Sequence, residues 1–197
     1  MSLALYLTSV RIVISPIFVI TYLYHDEIGI TLKLLPYLLI ALLGISEISD
    51  LLDGFVARRT NQVTDLGKLL DPMADSIFRL SVFLAFTQGF IQLPLILVLL
   101  FLYRDSTIST LRILCALRGL TLAARLSGKI KAVIQAVSAL TILLLMIPYS
   151  LGLLELKTLK LISVFIVGTA AIYTLYSGIE YIYSNRNFIK KALRKTA

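Results

Sequence analysis

Long apolar runs separated by short polar loops fill the chain. Each run reaches the roughly 20 residues that an α-helix needs to cross the hydrocarbon core of a bilayer. The pattern predicts an all-α polytopic membrane protein, with residues 1–197 forming a single domain and residues 1–7 as a candidate short N-terminal interfacial helix. Six transmembrane helices are predicted, at residues 5–24, 34–58, 68–88, 92–117, 129–149 and 157–182.

The composition agrees with residence in lipid. Hydrophobic residues make up 58% of the 197 residues, against about 45–50% in a soluble domain. The net charge of +8 comes from 19 Lys and Arg against 11 Asp and Glu. These bases lie mostly between the apolar runs and at the C-terminus, which favours contact with anionic membrane lipid and argues against a nucleic-acid partner. The single cysteine, Cys115, excludes an intrachain disulfide.

The basic residues also predict the orientation. They concentrate in segments 58–68 and 118–131 and in the C-terminal tail, whereas the alternate loops hold few. By the positive-inside rule both termini face the cytoplasm. We therefore expect an integral protein of a bacterial inner membrane, with the polar ends of the second and third spans on the cytoplasmic side.

Four carboxylates stand out at those ends. Asp50 and Asp53 are spaced i,i+3, and Asp71 and Asp75 are spaced i,i+4, so each pair lies on a single helix face. Carboxylates at membrane depth are costly unless they are paired, hydrated or bound to metal. Hard oxygen ligands of this kind suit Mg²⁺, Mn²⁺ or Ca²⁺ rather than zinc. The four aspartates therefore predict a divalent-metal site, and helix capping is the weaker interpretation.

Small and cationic residues accompany the aspartates. Gly54 and Gly67 permit the close approach of a ligand, and Ala57 keeps the same face shallow. Arg58 follows one turn after Gly54, where a guanidinium can bind a phosphate through two hydrogen bonds. Together with a metal, these residues predict a site for a pyrophosphate group.

These positions form the pattern D-x2-D-G-x2-A-R-x8-G-x3-D-x3-D, which resembles the signature of the CDP-alcohol phosphotransferases. The resemblance implies transfer of a substituted phosphoryl group from a CDP-linked donor to an alcohol, with CMP as the leaving group. It implies that Asp50, Asp53, Asp71 and Asp75 hold the metal, two Mg²⁺ or Mn²⁺ ions, with Asp75 also a candidate general base. It also implies a homodimer. The residues that would contact the CDP moiety are Gly54, Ala57, Arg58 and Gly67.

Three further segments are similar to those of the phosphatidylglycerophosphate synthases within that family: LGKLLDPMAD, the pair Thr8 and Arg11, and SGKIKAVIQ at 127–135. That similarity implies CDP-diacylglycerol as donor and sn-glycerol 3-phosphate as acceptor. An acceptor with its own phosphate needs a cationic pocket. The candidate acceptor-binding residues are Arg104, Arg112, Lys129 and Lys131; anchoring at the membrane surface is as good an interpretation for the two lysines.

Other acceptors stay open. Asp105 follows Arg104, and an Arg-Asp pair also occurs in cardiolipin synthases of this type; inositol-phosphate and serine transferases are further alternatives. From a different class, a divalent-cation transporter would also place aspartates in spanning helices. A transporter site is expected near the bilayer midplane, whereas these aspartates are predicted at one end, beside Arg58.

Overall fold

The computed structural model of the protein describes the backbone of residues 3–60, 65–117, 119 and 125–193. Side chains are described for residues 9–50, 52, 73–117, 119 and 125–190. Every regular element in these ranges is an α-helix. The helices are α1 (Leu3–Leu23), α2 (Leu35–Thr60), α3 (Asp65–Thr87), α4 (Leu95–Leu117), α5 (Leu126–Ser150), α6 (Leu156–Ser184) and α7 (Arg186–Leu193).

The all-α prediction is confirmed. Helices α1 to α6 coincide with the six predicted apolar runs, and no end differs by more than three residues. The agreement follows from the pattern itself. In lipid, a single apolar segment can hydrogen-bond all of its backbone N–H and C=O groups internally only as a helix.

The number of spans is a separate matter. Within the described residues, α5 and α6 are long and apolar enough to cross a membrane, and residues 9–23 form a shorter apolar helix. Helices α2, α3 and α4 carry the charged residues of the predicted sites, which lowers their mean hydropathy. Six transmembrane helices therefore stay a prediction, while a membrane protein of helical class is supported.

The short additional helix lies at the opposite end of the chain from the one predicted. Helix α1 is continuous from Leu3, so a separate interfacial helix at residues 1–7 was wrong. The eight-residue α7 instead follows α6 after Asn185. Its sequence, RNFIKKAL, combines apolar and basic residues, whereas the charge pattern predicts only a basic C-terminal tail.

The chain divides into two compact units, and the prediction of one domain over residues 1–197 stays a prediction. The first comprises Met1–Leu93 and Ala139–Ser163. In it, α1 packs against both α2 and α3. Phe18 of α1 meets Phe78 and Phe86 of α3 edge to face, with ring centroids 6.1 and 6.2 Å apart. These contacts fix α1 beside the helices that carry the aspartates.

The second unit comprises Pro94–Ser138 and Val164–Ala197. Its helix α4 buries the apolar side chains Val98, Phe101, Ile108 and Cys115. The part of α5 in this unit instead buries the polar side chains Lys131, Gln135 and Ser138. Thr174 and Ser177 of α6 are buried as well. Polar side chains are retained in a helical interior where they bind each other or a ligand, so this unit contains a second candidate site.

Candidate functional sites in the two units

Asp50 of α2 is bound by an arginine from α1. Arg11 Nη1 donates a hydrogen bond to Asp50 Oδ1 at 2.6 Å. The Arg11 side chain is only 1% exposed, whereas that of Asp50 is 49% exposed. A buried guanidinium thus holds one carboxylate oxygen, and the open side of Asp50 remains accessible to a ligand. Sequence reasoning missed this role, although a lone arginine within the first apolar run was the available signal.

Asp75 of α3 is bound by Arg79, one helical turn further on. Through this ion pair Arg79 neutralises part of the acidic charge. Glu47 lies within electrostatic range of Asp50, Asp75 and both arginines. The described part of this site therefore holds three carboxylates and two guanidinium groups, a surplus of negative charge before Asp53 and Asp71 are counted.

The oxygen donors fit a hard divalent cation. Mg²⁺ and Mn²⁺ prefer carboxylate oxygens, and surplus negative charge in helical surroundings favours a bound cation. Within the described side chains, no three potential ligands group closely enough to form a metal site. The described side chains do not include those of Asp53 and Asp71. The surroundings of the predicted CDP-binding residues are not described either; these are Gly54, Ala57, Arg58 and Gly67. The four-aspartate ligand set and the CDP contacts stay predictions.

The second unit contains a buried ionic network between α4 and α5. Lys131 Nζ donates to both carboxylate oxygens of Asp105, at 2.7 and 2.8 Å. Arg104 Nη1 donates to Asp105 Oδ1 at 3.0 Å. The side chains of Arg104, Asp105 and Lys131 are 11%, 13% and 4% exposed. Asp105 was not among the predicted site residues, yet it organises two of them, and one carboxylate between two cations leaves a surplus positive charge.

Two glycines make room for Arg104. A Cβ atom built on Gly178 of α6 would lie 3.0 Å from Arg104 Cγ, and one built on Gly128 of α5 would lie 3.5 Å from Nη2. Arg104 therefore passes close to both helices. Its Nε is buried without a hydrogen-bond partner in the described structure. A buried donor left unsatisfied costs about 1–3 kcal/mol, so an anionic ligand that accepts from this nitrogen would be favoured.

The other two predicted acceptor residues differ from each other. Arg112 of α4 donates from Nε to the hydroxyl of Tyr181 at 3.2 Å, and its Cζ lies 5.3 Å from the ring centroid. Tyr181 is buried and thus fixes the guanidinium. Lys129, at the beginning of α5, is exposed. The structure brings Arg104 and Lys131 together through Asp105, and it gives Lys129 no place in that network.

The network predicts a large stability effect for Asp105→Asn. The substitution removes the charge that neutralises Lys131, and a buried cation without its partner destabilises a protein by about 3–5 kcal/mol. We expect a decrease of this size in the free energy of unfolding, measured by denaturant titration in detergent micelles. The double variant Asp105→Asn/Lys131→Met should recover part of the loss, because the ammonium that had lost the Asp105 carboxylate is gone. An unchanged stability in Asp105→Asn would contradict the network.

Comparison with known proteins shows the family of the chain. The sequence profile of the CDP-alcohol phosphatidyltransferase family matches residues 1–179. The chain is 31% identical to the CDP-diacylglycerol–glycerol-3-phosphate 3-phosphatidyltransferase of Bacillus subtilis, over 93% of this chain and 95% of that protein. It is 28% identical to the Rickettsia typhi protein of the same name, over 93% of this chain and 96% of that one.

A shorter match is to a protein of another name. Over 64 residues, 32% of this chain, the identity to the CMP-forming cardiolipin synthase of Streptomyces coelicolor is 48%, although the match covers only 29% of that protein. The family match and the full-length relatives cover far more of the chain. On that evidence the chain belongs to the CDP-alcohol phosphatidyltransferase family.

Proposed function

We propose that the protein transfers a phosphatidyl group from CDP-diacylglycerol to sn-glycerol 3-phosphate, giving phosphatidylglycerophosphate and CMP. Family membership supports the reaction class, and relatives that cover nearly the whole chain carry the name of this enzyme. The observation that carries the choice of acceptor is the surplus cationic charge around Arg104, with a buried Nε that lacks an acceptor. A phosphate on the acceptor would satisfy that nitrogen.

The chemistry follows from the groups in the acidic site. The acceptor hydroxyl oxygen forms a bond to the lipid-bearing phosphorus, the bond from that phosphorus to the CMP oxygen breaks, and CMP leaves with its electron pair. Asp75 is the proposed base that takes the hydroxyl proton. Asp50, Asp53, Asp71 and Asp75 would hold Mg²⁺ or Mn²⁺, which supplies charge neutralisation for the diphosphate. In this role Arg79 would orient the Asp75 carboxylate.

The acceptor is proposed to bind through Arg104 and Arg112, with Lys131 held in place by Asp105. Guanidinium groups recognise phosphate through paired hydrogen bonds. Arg112 is already oriented by Tyr181. Lys129, which is exposed, is proposed as an outer contact that attracts the anionic acceptor. The site is proposed to face the cytoplasm of a bacterial inner membrane, and the homodimer stays part of the proposal.

Cardiolipin synthesis is the second candidate. The Arg104–Asp105 pair and the local similarity to a cardiolipin synthase favour it. Phosphatidylglycerol, its acceptor, is a phosphodiester, which offers less negative charge than the phosphomonoester of glycerol 3-phosphate. A cation transporter is disfavoured because Arg11 binds Asp50 and Arg79 binds Asp75. Guanidinium groups at these carboxylates would repel a passing cation.

The proposal is tested by measuring CMP release from CDP-diacylglycerol by the purified protein with Mg²⁺. The acceptors are sn-glycerol 3-phosphate, phosphatidylglycerol, serine and inositol phosphate, with glycerol as the matched acceptor that lacks only the phosphate. We expect glycerol 3-phosphate to give the highest kcat/KM, exceeding glycerol by about 10⁴-fold because a site built for a polar group rejects its analogue. Preference for phosphatidylglycerol would establish the second candidate instead, and no CMP release with any acceptor would overturn the reaction class.

A further inference from the structure

The segment after Glu180 carries basic residues that no acidic residue of the same segment neutralises. Five Lys and Arg residues follow Glu180 and no Asp or Glu does; they are Arg186, Lys190, Lys191, Arg194 and Lys195. This segment follows α6, one of the two helices long and apolar enough to span a membrane. A cationic segment directly after a spanning helix lies at the height of the lipid headgroups.

Helix α7 is seated in the second unit by one of its faces. Asn185, just before α7, and Ile189 within it are only 7% and 8% exposed, and α7 contacts α4. Phe188 is 46% exposed, and Lys190 is exposed as well. Because Ile189 is buried, Phe188 and Lys190 flank it on opposite sides of the helix, about 200° apart. An aromatic flank opposite a cationic one is compatible with a helix that lies in a membrane interface.

A cavity of about 250 Å³ opens where α6 meets α7. It is lined by Arg125, Tyr183, Ser184, Arg186 and Asn187. Two arginines from different parts of the chain thus line one cavity, and none of its described lining residues is acidic. The Cζ atom of Arg186 lies 4.3 Å from the centroid of the Tyr183 ring, a cation–π contact that orients the guanidinium.

Arg125 is held at this cavity by the carboxylate of Glu180. Its Nη1 donates to Glu180 Oε1 at 2.8 Å, and Glu180 also accepts hydrogen bonds from Ser127 and Ser184. The Arg125 side chain remains 40% exposed. Glu180 therefore fixes one edge of the guanidinium, and the exposed edge is available to a ligand.

We propose that this cavity binds the phosphate-bearing headgroup of an anionic membrane lipid, with α7 lying in the surrounding interface. Two oriented guanidinium groups suit a phosphate. Tyr183, which lines the cavity, is 68% accessible, and Phe188 of α7 is 46% accessible. Exposed aromatic groups next to cations favour a lipid over a free anion, because they would enter the acyl boundary while the headgroup meets the arginines. This inference does not depend on the transfer reaction.

The test measures lipid binding to the purified full-length protein in detergent micelles by the increase in its thermal unfolding midpoint. Phosphatidylglycerol is the probe, and phosphatidylcholine, glycerol 3-phosphate and inorganic phosphate are the comparison ligands. We expect phosphatidylglycerol to bind more tightly than phosphatidylcholine. Each of Arg125→Ala and Arg186→Ala should weaken phosphatidylglycerol binding about fivefold, the effect of one interfacial cation, while binding of glycerol 3-phosphate stays unchanged.

Lys33→Ala is the control. Lys33 is an exposed cation in the loop between α1 and α2 and belongs to the first unit, whereas the residues that line the cavity belong to the second. It should bind phosphatidylglycerol as the original protein does. Arg186→Lys keeps the charge and should retain most of the binding. It replaces Arg186→Ala in the comparison if the alanine variant fails to fold. Equal binding of the two lipids, or arginine variants that bind phosphatidylglycerol normally, would overturn the proposal. If inorganic phosphate shows the same affinity and the same dependence on the arginines, the site binds a free anion and not a lipid.

Discussion

Asp75→Asn should lower the rate of CMP release by about 10²–10⁴-fold, the contribution typical of a general base. Asparagine has nearly the same shape and keeps a carbonyl oxygen that can accept the hydrogen bond from Arg79. The substitution therefore removes the proton acceptor and one predicted metal ligand while leaving the helix packing in place. The measurement is kcat with CDP-diacylglycerol, glycerol 3-phosphate and saturating Mg²⁺, together with the unfolding midpoint.

Asp26→Asn is the matched control for that experiment. Asp26 lies in the loop between α1 and α2, and its side chain is 87% exposed. The same chemical change there should alter neither turnover nor the unfolding midpoint. If Asp75→Asn retains full turnover, the assignment of Asp75 as base is wrong. A large decrease in its unfolding midpoint would mean that the carboxylate is needed for folding.

Arg104→Ala should raise the KM for glycerol 3-phosphate by about a hundredfold, because hydrogen bonds to a charged group contribute about 1.5–3 kcal/mol. The KM for CDP-diacylglycerol should change little, since the proposed donor contacts are elsewhere in the sequence. Steady-state kinetics with each substrate varied in turn measures both values. Equal changes in the two KM values would argue that Arg104 supports the fold and does not bind the acceptor.

Two glycines allow a finer version of this experiment. Gly178→Ala places a Cβ atom 3.0 Å from Arg104 Cγ, so the arginine has to shift, whereas Gly128→Ala makes an ordinary contact at 3.5 Å. Alanine is the better helix former by about 1 kcal/mol, so neither variant should be destabilised by its backbone. We expect Gly178→Ala to raise the KM for glycerol 3-phosphate about tenfold, the effect of one partly lost charged hydrogen bond, and Gly128→Ala to leave it nearly unchanged. The reverse order would contradict the placement of Arg104.

Much of the helical framework could be predicted from the chain alone. The six apolar runs gave helices whose ends agree within three residues, because helix formation in lipid depends on local composition and length. The eight signature positions were accessible through their resemblance to the family pattern, and helical periodicity indicated only that each aspartate pair shares a face. The tail was harder: the alternation of apolar and basic residues in α7 was visible, but only its burial against α4 shows a seated helix.

The pairings between helices were not accessible from the sequence. Arg11 and Asp50 are 39 residues apart, and Lys131 is 26 residues from Asp105. No periodicity connects such positions, because the partner of a buried charge depends on which helix faces meet. For the same reason the sequence identified Asp105 only as the second member of an Arg-Asp pair, whereas the structure places it at the centre of an ionic network.

The sequence by itself determined that this chain is helical, apolar and furnished with the signature of its family, since each of these properties depends on residue types and their spacing along one chain. Only the tertiary structure decided which arginine holds Asp50, which carboxylate holds Lys131 and which glycines leave room for Arg104. Those contacts depend on distances between separate helices. A charge buried there loses its hydration, which is costly unless a partner of opposite charge lies close to it.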